Sequence, residues 1–89
     1  MKKLLFLLVF IPLVSFGQTA EEYTKSGYEK AEMGDLYGAI EDYTKAIKIN
    51  PRNSTLYYNR GTIKVTLKEY YDAIQDFQKA VEIKPNFAD

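Results

Sequence analysis

The chain has 89 residues, with 12 basic and 12 acidic side chains, a formal net charge of zero, and neither histidine nor cysteine. That length allows one small domain at most, and the missing residue types exclude disulfides, thiolate or imidazole metal sites and most nucleophile and general-base arrangements. A balanced charge without a basic stripe argues against a nucleic-acid partner, and no glycine-rich phosphate loop or cofactor motif is present, so no cofactor is expected.

In chain order, residues 1–17 read as a signal peptide. Lys2 and Lys3 form a positive n-region, and Leu4 to Phe16 is an apolar run broken only by Pro12 and Ser15. The small residues Ser15 and Gly17 stand three and one positions before a cut between Gly17 and Gln18, which is the layout of a secretory leader. The run is well short of the roughly 20 residues that span a bilayer, so a stable membrane anchor is the weaker alternative. No cysteine follows it to carry a lipid. The expected mature chain is residues 18–89, with 10 basic against 12 acidic side chains, exported to a periplasmic or envelope-associated place in a bacterium, or secreted.

Residues 18–19 form the mature N-terminus and a cap, because Thr19 followed by Glu22 makes a capping box for a helix starting near residue 20. Gly34 and Asp35 end that helix and cap a second, glycine permitting a left-handed exit. Pro51 closes the second helix, and Asn53 and Ser54 are both placed to cap a third. Lys68 and Glu69 are a weaker break before a fourth helix, which Pro85 closes. In the second and fourth helices, Ala39, Ile40, Tyr43, Ala46 and Ile47, and Ala73, Ile74, Phe77, Ala80 and Val81, recur at three- and four-residue steps. Each set is one apolar stripe, leaving Glu41, Asp42, Lys45, Asp72, Asp76 and Lys79 for a solvated face.

The chain also repeats itself. Residues 20–53 laid over 54–87 without gaps agree at 11 of 34 positions, among them Lys30/Lys64 and Asp42/Asp76. Residues 88–89 would begin an incomplete third copy.

A 34-residue helix–turn–helix unit with these residues resembles the tetratricopeptide repeat. The motif positions are Tyr23, Gly27, Ala39, Tyr43, Ala46 and Pro51 in the first copy, and Tyr57, Gly61, Ala73, Phe77, Ala80 and Pro85 in the second. The resemblance implies an all-α fold: two tandem helix–turn–helix repeats, four helices, forming a short right-handed α-solenoid or the start of a longer array. Five positions depart from the family's usual choices: Ser26 and Arg60 where leucine is frequent, Lys30 and Lys64 where tyrosine is, and Gly38 where a charged residue is common.

By the same resemblance, the chain is a non-enzymatic module that binds a protein or peptide partner in a groove lined by the first helices. The groove candidates are Thr24, Tyr28, Tyr58, Asn59 and Thr62, with Tyr28 and Tyr58 the sharper ones because rigid aromatics often dominate binding energy. Asn59 matches an asparagine that some relatives use to grip a peptide's C-terminal carboxylate. Thr24 and Tyr28 replace the lysine and asparagine of that clamp, so the clamp is not expected here. The alternative is a truncated or self-assembling unit with no complete groove, which acts by stacking on further repeats. Its uncapped C-terminal face, including parts of Phe77, Ala80 and Val81, would then drive self-association.

Overall fold

A computed structural model describes residues 18–86. The expected leader at 1–17, and Phe87, Ala88 and Asp89 with the expected start of a third copy, lie outside the described residues. Four helices follow one another: α1 (Ala20–Glu32), α2 (Leu36–Ile49), α3 (Ser54–Thr66) and α4 (Tyr70–Ile83). They form two antiparallel hairpins, α1 against α2 and α3 against α4, and the hairpins join through α2 and α3.

Local chemistry sets the helix starts. At α1, Glu22 donates its backbone N–H to the Thr19 hydroxyl at 3.1 Å, and Thr19 donates its own to Glu22 Oε1 at 3.0 Å, closing the predicted capping box. Asp35 accepts from the Gly38 N–H at 3.0 Å and caps α2. Asn53 accepts from the Thr55 N–H at 3.0 Å and caps α3. Ser54 is not a cap: it is the first residue of α3 and is buried. Glu69 precedes α4 without a side-chain cap.

Both hairpin turns use the same backbone device. In the first, Asp35 N–H bonds Lys30 O at 2.8 Å and Gly34 N–H bonds Ala31 O at 3.0 Å; in the second, Glu69 N–H bonds Lys64 O at 2.8 Å and Lys68 N–H bonds Val65 O at 2.9 Å. This is a Schellman exit, which needs a left-handed residue just past the helix. Gly34 supplies it at φ +88°, whereas Lys68 is held at φ +66° against its own Cβ. That conformation costs a non-glycine residue about 1–2 kcal/mol, so Lys68→Gly is expected to stabilise the chain by about 1 kcal/mol, read as a higher denaturation midpoint.

The core explains the repeated glycines and alanines. A Cβ on Gly27 would lie 3.3 Å from Ala39 O and from the Tyr43 ring, and one on Gly61 would lie 2.9 Å from the Phe77 ring and 3.2 Å from Asp76 Cβ. At these points the helix backbones approach closely, which offsets the helix-propensity cost of glycine, up to about 1 kcal/mol. Ala39, Ala46, Ala73 and Ala80 are fully buried at the crossings. Tyr43, Ile47, Leu56, Tyr57 and Ile63 fill the space between the hairpins, with Tyr23 packed against them. Tyr57 donates its hydroxyl to Pro51 O at 3.0 Å, tying α3 to the loop that Pro51 opens.

Ala80, expected on the bare outer face of α4, is buried at its inner crossing. The exposed apolar residues there are Ile74 and Val81, with Phe77 half-covered between them.

Candidate functional site

The charged residues of α2 and α4 do not all lie on a solvated face. Asp42 and Asp76 are each only 4 % exposed, because both point back across their hairpin to the first helix. Asp42 accepts a hydrogen bond from the Ser26 hydroxyl at 2.5 Å and pairs with the Lys30 ammonium at 3.1 Å. Asp76 receives Arg60 at both oxygens, Nε to Oδ2 at 2.9 Å and Nη2 to Oδ1 at 2.8 Å, and Lys64 at 3.0 Å. Arg60 also donates to the Thr44 hydroxyl of α2 at 3.0 Å and lies over the Tyr57 ring, so one guanidinium links three helices. Four of the five positions that depart from the family's usual residues are thus the partners of two buried carboxylates.

These groups hold the hairpins together; every buried side-chain polar atom among the described residues has a hydrogen-bond partner. Burial alone would push the Asp42 carboxyl up, but the Ser26 hydroxyl, Lys30 and the more distant Lys45 outweigh it and hold the carboxyl below its ordinary value. A carboxylate with a depressed folded-state pKa stabilises the fold fully above its unfolded value, and that contribution is lost as pH falls through the folded one. Stability is therefore expected to fall on acidification below about pH 4, and Asp42→Asn should flatten that part of the pH profile of the unfolding midpoint.

A different surface opens between the two first helices. Tyr28 and Glu32 of α1 face Tyr58, Asn59 and Thr62 of α3 across a shallow depression of about 290 Å³, with Tyr43 of α2 at its floor. Four of the five groove candidates therefore meet. The fifth, Thr24, lines a separate polar depression of about 300 Å³ nearer the α2–α3 loop, with Lys25, Asn50, Asn53 and Thr55. Tyr28 is 59 % exposed and Tyr58 45 %. The Tyr58 ring leans on Phe77 of α4 at 5.7 Å between centroids, which ties it to the other helix of its hairpin. The hydroxyls of Thr24 and Thr62 donate to the carbonyls of Ala20 and Tyr58 one turn back, leaving each oxygen able to accept. Burial pushes the Tyr43 phenol up, with Asn59 beside its hydroxyl working the other way. Sequence reasoning did not assign Glu32 and Tyr43 to this depression; Glu32 lies one turn beyond Tyr28, which was the available signal.

Among the described residues no cluster of His, Cys, Asp or Glu could hold a metal ion, and no helix is long and apolar enough to cross a membrane.

Two family models match the chain: "Tetratricopeptide repeat" over residues 54–87 and "TPR repeat" over residues 27–67. Together the two models span residues 27–87, and this stretch of the chain is tetratricopeptide repeat. Tetratricopeptide repeat protein 36 homolog of Nematostella vectensis is 43 % identical over 44 residues, which is 49 % of this chain and 24 % of that protein. The crystal structure of MamA superposes with a TM-score of 0.77 at 28 % identity, over 79 % of this chain and 41 % of that one. The chain thus spans about a quarter of the matched relative and under half of the solved structure. The two stacked hairpins have the all-α tandem architecture that the family predicts.

Proposed function

We propose that this chain is an exported protein–protein interaction scaffold of two repeats, residues 20–53 and 54–87, that holds a peptide or an extended partner segment between α1 and α3. The observation that carries this reading is the meeting of two exposed tyrosines, Tyr28 and Tyr58, with Asn59 and Thr62 over one depression whose floor is a buried ring. Rigid aromatics over such a floor supply contact area at low entropic cost. Export rests on the leader sequence at residues 1–17. Tetratricopeptide-repeat proteins are generally non-catalytic scaffolds, and binding is the activity expected here. Tyr58→Ala with Thr62→Ala should reduce co-purification of the partner from the native host while far-ultraviolet circular dichroism stays unchanged. Undiminished capture by a folded variant would contradict the reading.

A second reading is favoured by the outer face of α4, where Ile74, Phe77 and Val81 line an almost wholly apolar depression of about 410 Å³. Ile40, Tyr43 and Ile47 are their counterparts in α2, and α3 covers those through Leu56, Tyr57 and Ile63. A further α3-like helix would cover α4 in the same way. The α1 helix of a second copy is a poor cover, since Glu22 and Glu29 stand where α3 has Leu56 and Ile63. Sedimentation equilibrium separates the readings: a monomer at all concentrations would contradict self-stacking.

A further inference from the structure

Resting on the crevice reading above, we infer that the α1–α3 depression takes a cationic side chain, arginine or lysine, from the partner segment. The lining decides the sign. Its aromatic groups are phenol rings, from Tyr28, Tyr43 and Tyr58, its single ionised group is the Glu32 carboxylate, and no lysine or arginine contributes to it. Tyrosine faces attract ammonium and guanidinium groups through the ring quadrupole, and a flat guanidinium also stacks on such rings. The molecule already uses this pairing elsewhere, with Lys45 at 5.6 Å from the centre of Tyr23 and Arg60 at 5.8 Å from that of Tyr57.

Three of the chain's own four cations on the first helices are committed to other partners. Lys30 is on Asp42, and Arg60 and Lys64 are on Asp76, while Lys25 lines the neighbouring depression. An incoming carboxylate would meet Glu32 with no cation to receive it, and Asn59 is beside the Tyr43 hydroxyl. An incoming arginine meets ring faces, an acidic partner in Glu32 and the acceptor oxygen of Thr62.

The test is a titration of the ¹⁵N-labelled full chain with three capped pentapeptides that differ only in a central arginine, glutamate or leucine. The arginine peptide should shift the backbone amides of Tyr28, Glu32, Tyr58 and Asn59 saturably, binding about fivefold or more tightly than the leucine peptide, and the glutamate peptide should leave them unmoved. Glu32→Gln should weaken the arginine peptide several-fold without changing the leucine peptide. Equal binding of leucine, or preferential binding of glutamate, at these amides would overturn the cationic preference while leaving the crevice as a partner site. Failure of the arginine peptide to move them would overturn the inference by itself, and loss of partner capture in the Tyr58→Ala, Thr62→Ala variant would still stand as the separate test of the crevice.

Discussion

Replacing Asp76 by alanine is expected to destabilise the fold by about 3–5 kcal/mol, because it strands two cations that the second hairpin has largely removed from water. The side chains of Arg60 and Lys64 are only 17 % and 15 % exposed, and both are directed at the Asp76 carboxylate. Natural domains hold about 5–15 kcal/mol in total, so such a loss would leave a large fraction unfolded at mild temperatures. The cost is that of breaking the pair rather than the pair's net worth, since a buried ion group replaced as a whole by apolar residues of similar volume is often neutral. Adding Arg60→Leu and Lys64→Met to Asp76→Ala should therefore recover most of the loss. Urea denaturation of the single and triple variants checks both statements, and a single variant within 1 kcal/mol of the parent would contradict the assigned role.

The second large effect is expected at Tyr43. It is 2 % exposed, its ring fills the space that Gly27 leaves open, and it floors the depression between α1 and α3. Tyr43→Ala should cost about 3–5 kcal/mol through the cavity left behind, whereas Tyr28→Ala, at a largely exposed ring on the same depression, should stay within about 0.5 kcal/mol. The pair separates support from contact: Tyr28→Ala should lose partner binding in a fully folded chain. Comparable destabilisation by both substitutions would place Tyr28 in the core and remove it from the binding surface.

The four helices were legible in the sequence because independent signals agreed: the apolar periodicity, the Thr19/Glu22 capping box, the Gly34–Asp35 break and the closing prolines. The second hairpin turn was harder to read. Lys68 carries no sequence mark of a positive φ, and its conformation is imposed by the packing of α3 on α4 rather than by local preference. The reading of Asp42 and Asp76 as solvated failed for a physical reason: a helical wheel assigns charges to water unless it can see a neighbouring helix. The corrective signal lay in the alignment, where Lys30/Lys64 and Asp42/Asp76 are identical in both copies at the same separation, as a paired charge would require. Ser26 and Arg60 look like departures from the family when taken one at a time; only across the hairpin do they become the donors that satisfy the buried carboxylates. Ala80 went to the outer face for the opposite reason, since a stripe of five apolar positions is wider than the face one helix leaves bare.

For the crevice, the sequence pointed to residues but not to their grouping. Tyr28, Tyr58, Asn59 and Thr62 share one depression because α1 and α3 stand side by side with Tyr43 between them, while Thr24 falls into the next depression, one turn away. The single carboxylate at Glu32, which sets the sign of the site, emerged only once the two helices were placed together.

Site-specific photo-crosslinking in the native host tests the central claim most directly. A photoreactive phenylalanine analogue would replace Tyr28 or Tyr58 within the crevice, or the exposed Gln75 of α4, and the adducts would be identified by mass spectrometry. Adducts to one partner protein from positions 28 and 58, absent at position 75, are the result expected of a partner held between α1 and α3. Adducts confined to position 75, or none at 28 and 58 from a chain that still binds its partner, would contradict it.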